Sequence, residues 1–395
     1  MIDVSTIREV GSEIRTDPNL PTIDEKSPNG SFRMALASLV CGPLPPVIAA
    51  RLKNRIYPFE RARLDARPFA RRARTGSRFE GTTGDMHAHQ FSIHGYFDWR
   101  ILAIGLASCR EGDTVVEVGA NVGTETVGLS DLVGPSGEVL AFEPVPANLR
   151  WLRRAVELNQ PSNITVIPAA VSDRAGRVRF EAPVDDGYSG IGYLAVDGSA
   201  SSSAIEVEAV TLDGFLAPRG PIRMICVDAE GAEVAIIRGS SETLSKHRPI
   251  VIVEASAAHL GRAGHRLAGL KEELESRGYA VHQVGKIGLI PPDLCGAGVA
   301  VNWVAVHRSM TETTHAIQRS LVRCGLSPCV RGLNPLVRRP RVLKAPDPPP
   351  FRPDLQKEPD EMSRPAPAHP RVAGGPGIGC TSEGATVNSR SRRTP

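Results

Sequence analysis

The chain has 395 residues, a formal net charge of +4 and a hydrophobic share of 41%, which allows one large domain with extensions or two domains. Residues 309–395 carry 14 Lys and Arg against 7 Asp and Glu, so the rest of the chain is slightly acidic, which excludes a nucleic-acid-binding charge balance for the folded part. The seven cysteines are widely spaced and form no CxxC pair. This favours reduced thiols and a cytoplasmic protein over a disulfide framework or a zinc site.

Residues 1–94 are predicted to form an irregular, partly helical N-terminal extension. The polar, mixed-charge start does not indicate a secretory signal, and three prolines interrupt the apolar run 34–50, which excludes a transmembrane helix. Residues 51–78 carry ten Lys and Arg against two acids. This basic stretch has two interpretations, peripheral contact with an anionic membrane or polymer, and a solvated helical extension. Its poor hydrophobic spacing favours the second.

Between residues 95 and 308, short apolar runs alternate with helical patterns. The strand-like runs are TVVEVGA, EVLAFEP, NITVIPAAV, MICVDAE, PIVIVEAS, YAVHQVG and VNWVAVH. Strands that alternate with helices predict an α/β fold, a Rossmann-like doubly wound sheet of about seven mostly parallel strands. An insertion at residues 174–223 adds two strand-like runs, GRVRF and AIEVEAV, around a Gly/Ser-rich loop.

The C-terminal region lacks such a pattern. After His307 we find no hydrophobic period, and residues 309–395 are rich in Pro and Arg. We therefore predict a disordered tail with little apolar surface to bury. Removal of residues 312–395 is expected to leave the fold intact.

The strongest candidate site is TVVEVGANVGTETVGLS, residues 114–130, where an apolar strand ends in a glycine loop that opens a helix. Gly119 and Gly123 lack a Cβ, so the backbone can turn tightly and approach a ligand. The G-x-N-x-G spacing places Asn121 where dinucleotide-binding loops have a second glycine, which argues against an NAD-dependent oxidoreductase. Glu143 ends the next strand, where a carboxylate can accept hydrogen bonds from both ribose hydroxyls of a nucleoside.

The chain resembles the FkbM-type family of S-adenosylmethionine (SAM)-dependent methyltransferases in the order and spacing of VVEVGANVGTE, AFEPVPANLRWL, AAVSDRAG, AVTLDGFL, MICVDAEGAEVAIIRG and RPIVIVEAS. The resemblance runs from about residue 95 to residue 307. It implies a methyltransferase domain at residues 95–308, SAM as the cofactor, and a sheet whose last strand, VNWVAVH, is antiparallel. It also implies O-methylation of a hydroxyl group on a sugar, glycan or other natural product.

The resemblance assigns the cofactor site residue by residue. Gly119, Asn121 and Gly123 would line the methionine end of SAM, and Glu143 would hold the ribose. Glu117 stands where the family usually has Asp, which keeps the carboxylate but lengthens its reach.

The catalytic candidates lie in CVDAEGAE, residues 226–233, at the end of a strand. Asp228 is the first candidate for the base that takes the acceptor hydroxyl proton, and Glu230 is the second. In the alternative interpretation, both acids only cap the next helix and orient the SAM amino group. The family commonly has Lys where this chain has Cys226, which motivates a second hypothesis, a catalytically weak SAM-binding module that acts through partners. Glu254 ends another strand and is a candidate for the acceptor pocket.

Two further motifs bear on metals and on the acceptor. His87 and His89 form an HxH pair, but no matched carboxylate set stands nearby, so we predict a surface loop and no metal site. No (D/N)PPY motif ends the MICVDAE strand, which disfavours a nucleic-acid acceptor. The acceptor stays open among sugar, polyketide, lipid-linked glycan and peptide.

Overall fold

The computed structural model describes residues 32–160, 162–181, 192–194, 204–295 and 300–338. The predicted leader before residue 32 and the tail beyond residue 338 lie outside the described residues. Within these ranges, no helix combines the length and the apolar character needed to span a bilayer.

The N-terminal segment, residues 32–94, contains regular elements that its sequence pattern did not predict. In chain order they are α1 (Phe32–Cys41), α2 (Pro46–Ile56), α3 (Phe59–Asp65), β1 (Pro68–Arg72), β2 (Arg78–Thr82) and α4 (Met86–His94). Pro46 is the first residue of α2. Proline suits this position because the N–H that it lacks would have no hydrogen-bond partner within the helix. Asp85 caps α4, since its side chain accepts a hydrogen bond from the backbone N–H of Ala88.

An α/β unit follows, built around an eight-stranded sheet. Its elements are α5 (Trp99–Ser108), β3 (Thr114–Val118), α6 (Thr126–Val133), β4 (Glu138–Phe142), α7 (Pro146–Glu157), β5 (Ile164–Ile167), β6 (Ala170–Val171), β7 (Gly176–Glu181), β8 (Tyr193–Leu194), β9 (Ile205–Val210), α8 (Leu212–Leu216), β10 (Ile222–Val227), α9 (Glu233–Arg238), α10 (Ser241–His247), β11 (Ile250–Ala255), α11 (Ala257–Arg262), α12 (Leu267–Glu275), β12 (Tyr279–Val284), β13 (Leu289–Ile290) and β14 (Val301–His307).

The strand order of the central sheet is β13-β12-β14-β11-β10-β3-β4-β5. Strands β3, β4, β5, β10 and β11 are parallel, whereas β14 runs antiparallel between β11 and β12. The prediction of a Rossmann-like sheet with an antiparallel last strand is confirmed. The short β13 pairs with β12 as an eighth strand that the sequence pattern did not indicate.

The sheet is buried on both faces, as its nearly continuous apolar strands predict. Alternate residues of one strand enter opposite cores: Val116 and Val118 join one cluster, and Val115 joins the other. On α7, Leu149, Leu152 and Val156 recur at helical spacing and are buried.

The insertion forms, together with the preceding β6, a second, four-stranded sheet in the order β6-β9-β7-β8. The predicted strands GRVRF and AIEVEAV correspond to β7 and β9, which pair antiparallel. Of the Gly/Ser-rich loop between them, only residues 192–194 are described.

The N-terminal segment packs against the α/β unit and shares a core with it. Phe69, Phe79 and Phe91 lie in one apolar cluster with Val127 of α6 and Ala155 of α7. Polar bonds reinforce this contact: the Asp131 carboxylate accepts hydrogen bonds from the backbone N–H and the hydroxyl group of Ser77, at 2.8 and 2.6 Å. Part of the predicted extension is therefore an integral layer of the fold.

Several cations of the basic stretch point inward. The Lys53 ammonium donates to Gln90 at 2.9 Å, and its burial lowers the pKa of Lys53 to about 8. The Arg74 guanidinium donates to the carbonyl oxygens of His94 and Gly42 at 2.8 and 2.7 Å. These charges therefore hold the N-terminal helices together and are not free to contact a polyanion.

The structure differs from the predicted tail after residue 309. Residues Thr311–Leu326 form α13, which packs along α5. Ile317, Leu321 and Cys324 are fully buried on one face of this helix. The sequence pattern did not predict α13 because the helix has only a few apolar residues, separated by polar ones. Their role is apparent only from the structure, in which they pack against α5.

Candidate active site

A cavity of about 410 Å³ opens at the carboxyl edge of the central sheet. This volume lies within the range of small-molecule sites, and ligands of open α/β sheets bind at this edge. The cavity wall includes six of the residues that the sequence singled out, namely Gly119, Asn121, Glu143, Asp228, Glu230 and Glu254.

The glycine loop after β3 requires its glycine. Gly119 has φ +81°, and a Cβ at this position would lie 1.8 Å from the carbonyl oxygen of Asp228. The loop can therefore pass this close to the end of β10 only without a side chain. Asn121 follows with φ +51°, in the left-handed region that Asn tolerates better than most residues. Its side chain is 7% exposed, and its Oδ1 has no hydrogen-bond partner within the described residues.

Glu143 ties the ends of β3 and β4 together. One carboxylate oxygen accepts a hydrogen bond from the backbone N–H of Asn121 at 2.8 Å. The other accepts from the backbone N–H of Val145 at 2.8 Å and from the Asn148 amide at 3.4 Å. Burial nevertheless raises the pKa of Glu143 to about 7. The carboxylate is thus held at the cavity wall, and Oε2, which accepts only the Asn121 bond, keeps a lone pair for a ligand hydroxyl.

Three sequence-predicted positions do not line the cavity formed by the described residues. Glu117 pairs in register with Cys226 of β10 on the opposite side of the sheet from Val118, and burial raises the pKa of Glu117 well above its usual range. Gly123, at φ +93°, forms the loop-to-helix turn against Leu152. Cys226 is buried and is not among the residues that line this cavity.

Four charged residues meet at the other end of the cavity, after β10 and β11. His259 Nδ1 lies 2.8 Å from Glu230 Oε2 and 2.9 Å from Glu254 Oε2. Hydrogen bonds with Glu230 and Glu254 raise the pKa of His259 to about 10. The Arg262 guanidinium donates to Glu230 at 3.3 Å. Glu230 itself has φ +52°, followed by Gly231 at φ +118°, so the turn after β10 presents its side chain to this cluster.

The Asp228 carboxylate faces the same space without a hydrogen bond to any residue that the structure describes. Its side chain is exposed to the cavity. Enclosure by the surrounding protein and the nearby charges of Glu254 and Glu230 raise the pKa of Asp228 well above its usual range.

The N-terminal segment contributes a residue that the sequence analysis had assigned to a surface loop. His87 lies on α4, lines the cavity and stacks on Phe97, with ring centroids 3.9 Å apart. Its Nδ1 is 3.4 Å from the Asn121 amide nitrogen. His89, two residues later, instead enters the core and contacts the carbonyl oxygen of Tyr57 at 3.1 Å. The surface-loop prediction for this HxH pair was wrong, because a helix sends the two rings in different directions.

A second group of cavity residues also escaped prediction. Arg100 holds Asp98 through two contacts of 2.8 and 2.6 Å. The Asn302 amide of β14 donates to the same carboxylate at 3.2 Å. These positions come from separate elements before β3 and after β13, and no local motif connects them in the sequence.

The comparisons with known proteins support the resemblance. Residues 117–281 match the family model described as the methyltransferase FkbM domain. A curated protein-L-isoaspartate O-methyltransferase of Methanothrix thermoacetophila is 37% identical over 62 residues, which are 16% of this chain and 30% of that protein. The chain thus matches less than a third of the length of this relative.

Solved structures give weaker similarity. The crystal structure of methyltransferase FkbM from Methylobacillus flagellatus KT is 17% identical, with a TM-score of 0.34, over 69% of this chain and 59% of that chain. Aeropyrum pernix fibrillarin, solved with natively bound S-adenosyl-L-methionine, is 13% identical, with a TM-score of 0.31, over 50% of this chain and 67% of that chain.

Proposed function

Because residues 117–281 match the methyltransferase FkbM domain, we propose that this protein is a SAM-dependent methyltransferase that transfers a methyl group to a hydroxyl on a sugar, glycan or other natural product. The observation that carries the proposal is the meeting of the Gly119–Asn121 loop and the Glu143 carboxylate at one cavity wall. In this arrangement the loop backbone can come close to a ligand, and the Glu143 carboxylate can accept a hydrogen bond from a ligand hydroxyl. Both features lie within the segment that matches the family.

The residues present fit SAM. Gly119 lets the loop pass directly against the end of β10, where a side chain would meet the Asp228 carbonyl oxygen. The Asn121 side chain brings to the wall a buried oxygen that has no partner among the described residues. Glu143 would bind a ribose hydroxyl through the remaining lone pair of Oε2. When bound, SAM supplies an electrophilic methyl group, and the protein then has to hold the acceptor hydroxyl in line with it.

Asp228 is the base that the geometry favours. It lines the cavity without a hydrogen-bonding partner among the described residues, whereas Glu230 is engaged by His259 and Arg262. Asp228 can therefore accept the hydroxyl proton as the methyl group leaves its donor, a step worth roughly 10²–10⁴-fold in rate. Glu230 is assigned a positioning role.

The charge of the cavity bears on the acceptor. Three carboxylates, those of Asp228, Glu230 and Glu254, line the end away from Glu143. Arg262 and the protonated His259 lie against Glu230 and Glu254 and offset their charge. This nearly balanced set of polar groups supports a neutral, hydroxylated acceptor.

The test is methyl transfer from labelled SAM to a panel of sugars, glycans and polyketides. Asp228→Asn should lower kcat by about 100-fold or more without weakening the binding of S-adenosylhomocysteine (SAH). Glu272→Gln, a change at an exposed residue of α12, is the matched control and should keep full activity. Transfer that is insensitive to Asp228→Asn would contradict the assignment of the base, and transfer to nucleic acid alone would contradict the acceptor class.

A further inference from the structure

We propose that Glu230, Glu254 and His259 form a binding site for a divalent cation of the Mn²⁺ type at the acceptor end of the cavity. Cation binding as such does not depend on SAM, whereas a role in methyl transfer rests on the proposed function. The prediction of no metal site considered only His87 and His89, and the fold assembles a different set.

The geometry of the three donors matches a coordination shell. One ligand atom from each residue lies within 4.8 Å of the other two. His259 Nδ1 is 2.8 and 2.9 Å from the two carboxylate oxygens. Neighbouring ligands of an octahedral cation with bonds of about 2.1 Å are about 3 Å apart. The observed spacings therefore suit adjacent positions around one ion.

Without a cation, the Nδ1 hydrogen of the His259 imidazolium lies between the two carboxylate oxygens. A divalent cation would displace this one proton, which is released to solvent. A cation bound to the deprotonated Nδ1 contacts both oxygens at once, and its charge offsets the repulsion between them.

Two further side chains outside this cluster face the same space. Asp228 presents a carboxylate that is bonded to no described residue, and His87 presents an imidazole; both residues line the cavity. The His87 imidazole is an additional donor, whereas Asp228 keeps its carboxylate free to accept a proton. Carboxylate ligands select hard cations such as Mg²⁺ and Mn²⁺, and an imidazole shifts the preference from Mg²⁺ towards Mn²⁺.

The position of the site gives it a role. All three donors line the cavity and are half-buried, so coordination positions stay open to a ligand. A divalent cation lowers the pKa of a hydroxyl that it binds. The cation would therefore select acceptors that offer oxygen ligands, such as hydroxyl groups on neighbouring carbons.

The first test titrates Mn²⁺ into chelator-treated, full-length protein and follows the loss of the free Mn²⁺ signal by electron paramagnetic resonance. We expect one site per chain. Glu254→Gln and His259→Gln should each weaken binding at least tenfold, and Glu272→Gln should leave it unchanged. SAH binding by each variant, measured separately, shows whether the cavity is still folded and keeps this test distinct from that of the proposed function.

A second measurement uses the wild-type chain only. Bound Mn²⁺ should broaden the nuclear magnetic resonances of the His259 ring before those of His247, which lies at the end of α10, near the opposite edge of the sheet. Absence of Mn²⁺ binding up to millimolar concentration would overturn the proposal. Broadening of both histidines to the same degree, or unchanged binding in folded Glu254→Gln and His259→Gln variants, would overturn it too.

Discussion

The carboxylate of Glu143 accepts a hydrogen bond of 2.8 Å from the backbone N–H of Asn121. This bond joins the loops after β3 and β4, two neighbouring parallel strands. It fixes the carboxylate against the glycine loop, so the two parts of the proposed cofactor site are held together before any ligand arrives. Such preorganisation reduces the cost of ordering the site on binding.

The glycine loop gives the first prediction. Gly119→Ala should abolish SAH binding and lower the melting temperature, because its Cβ would lie 1.8 Å from the Asp228 carbonyl oxygen at a φ of +81°. The matched control is Gly269→Ala in α12, where an added Cβ meets no atom within 4 Å. Alanine favours a helix interior by about 1 kcal/mol over glycine, so this variant should bind SAH normally and melt no lower. Equal behaviour of the two variants in calorimetry would contradict this account of the loop.

The pH dependence of stability is the second prediction. Burial raises the pKa of Glu125 to about 7, from 4.5. The folded state therefore binds more protons than the unfolded state between these values, and this group lowers the free energy of unfolding as the pH rises through that window. Glu125→Gln removes this titration. The difference in the free energy of unfolding between variant and wild type should therefore shift in favour of the variant as the pH rises from 5 to 8.

The comparison of variant with wild type is needed because other groups act in the opposite direction. Burial lowers the pKa of His89 and His94 to about 3, so their contribution to stability is lost as the pH falls below the unfolded value of about 6.5. Urea denaturation at both pH values measures the difference. A variant whose advantage is the same at pH 5 and pH 8 would show that Glu125 keeps its ordinary pKa.

The third prediction separates α13 from the tail. Removal of residues 339–395 should leave the melting temperature unchanged, whereas removal of residues 311–395 should lower it strongly, because Ile317 and Leu321 are fully buried against the α/β unit. As a point test, Leu321→Ala should cost about 2–5 kcal/mol. Leu326→Ala, at a side chain that is half exposed, is its control. If the chain that ends at residue 310 melted at the same temperature as the full-length chain, the prediction of a dispensable tail after residue 309 would be right.

The fourth prediction concerns the N-terminal layer. Asp131→Ala removes the acceptor of two hydrogen bonds from Ser77 and should destabilise the protein by about 2 kcal/mol. Asp131→Asn keeps one acceptor oxygen and should cost less. The denaturant midpoint checks both values. If residues 32–94 were an independent extension, neither change would move the midpoint of the main transition.

The central sheet could be predicted because its information is local. Most strands of the parallel core, such as TVVEV, are short apolar runs followed by a turn and a helix. The N-terminal elements could not be predicted in this way. Their buried side chains, such as Phe69 and Phe79, share an apolar cluster with residues of α6 and α7. The hydrophobic pattern of residues 32–94 does not indicate that they pack against helices so distant in the chain.

The candidate site divides along the same line. Gly119, Asn121 and Glu143 could be placed at one cavity from the sequence, because a glycine loop and a strand-end acid have a recognisable spacing. Glu117 does not line the cavity, since strand alternation turns its side chain to the opposite face of the sheet from Val118. His259 lay outside every motif, and only the turn between β11 and α11 brings it to Glu254.

The most direct test of the account is a calorimetric titration of the wild-type protein and of Glu143→Ala with SAH. We predict micromolar binding by wild type and binding at least tenfold weaker by the variant, with Glu206→Ala, a change at an exposed residue of β9, as the unaffected control. A thermal melt of each protein confirms folding. Absence of SAH binding by a folded wild-type protein would contradict the assignment of this cavity to SAM.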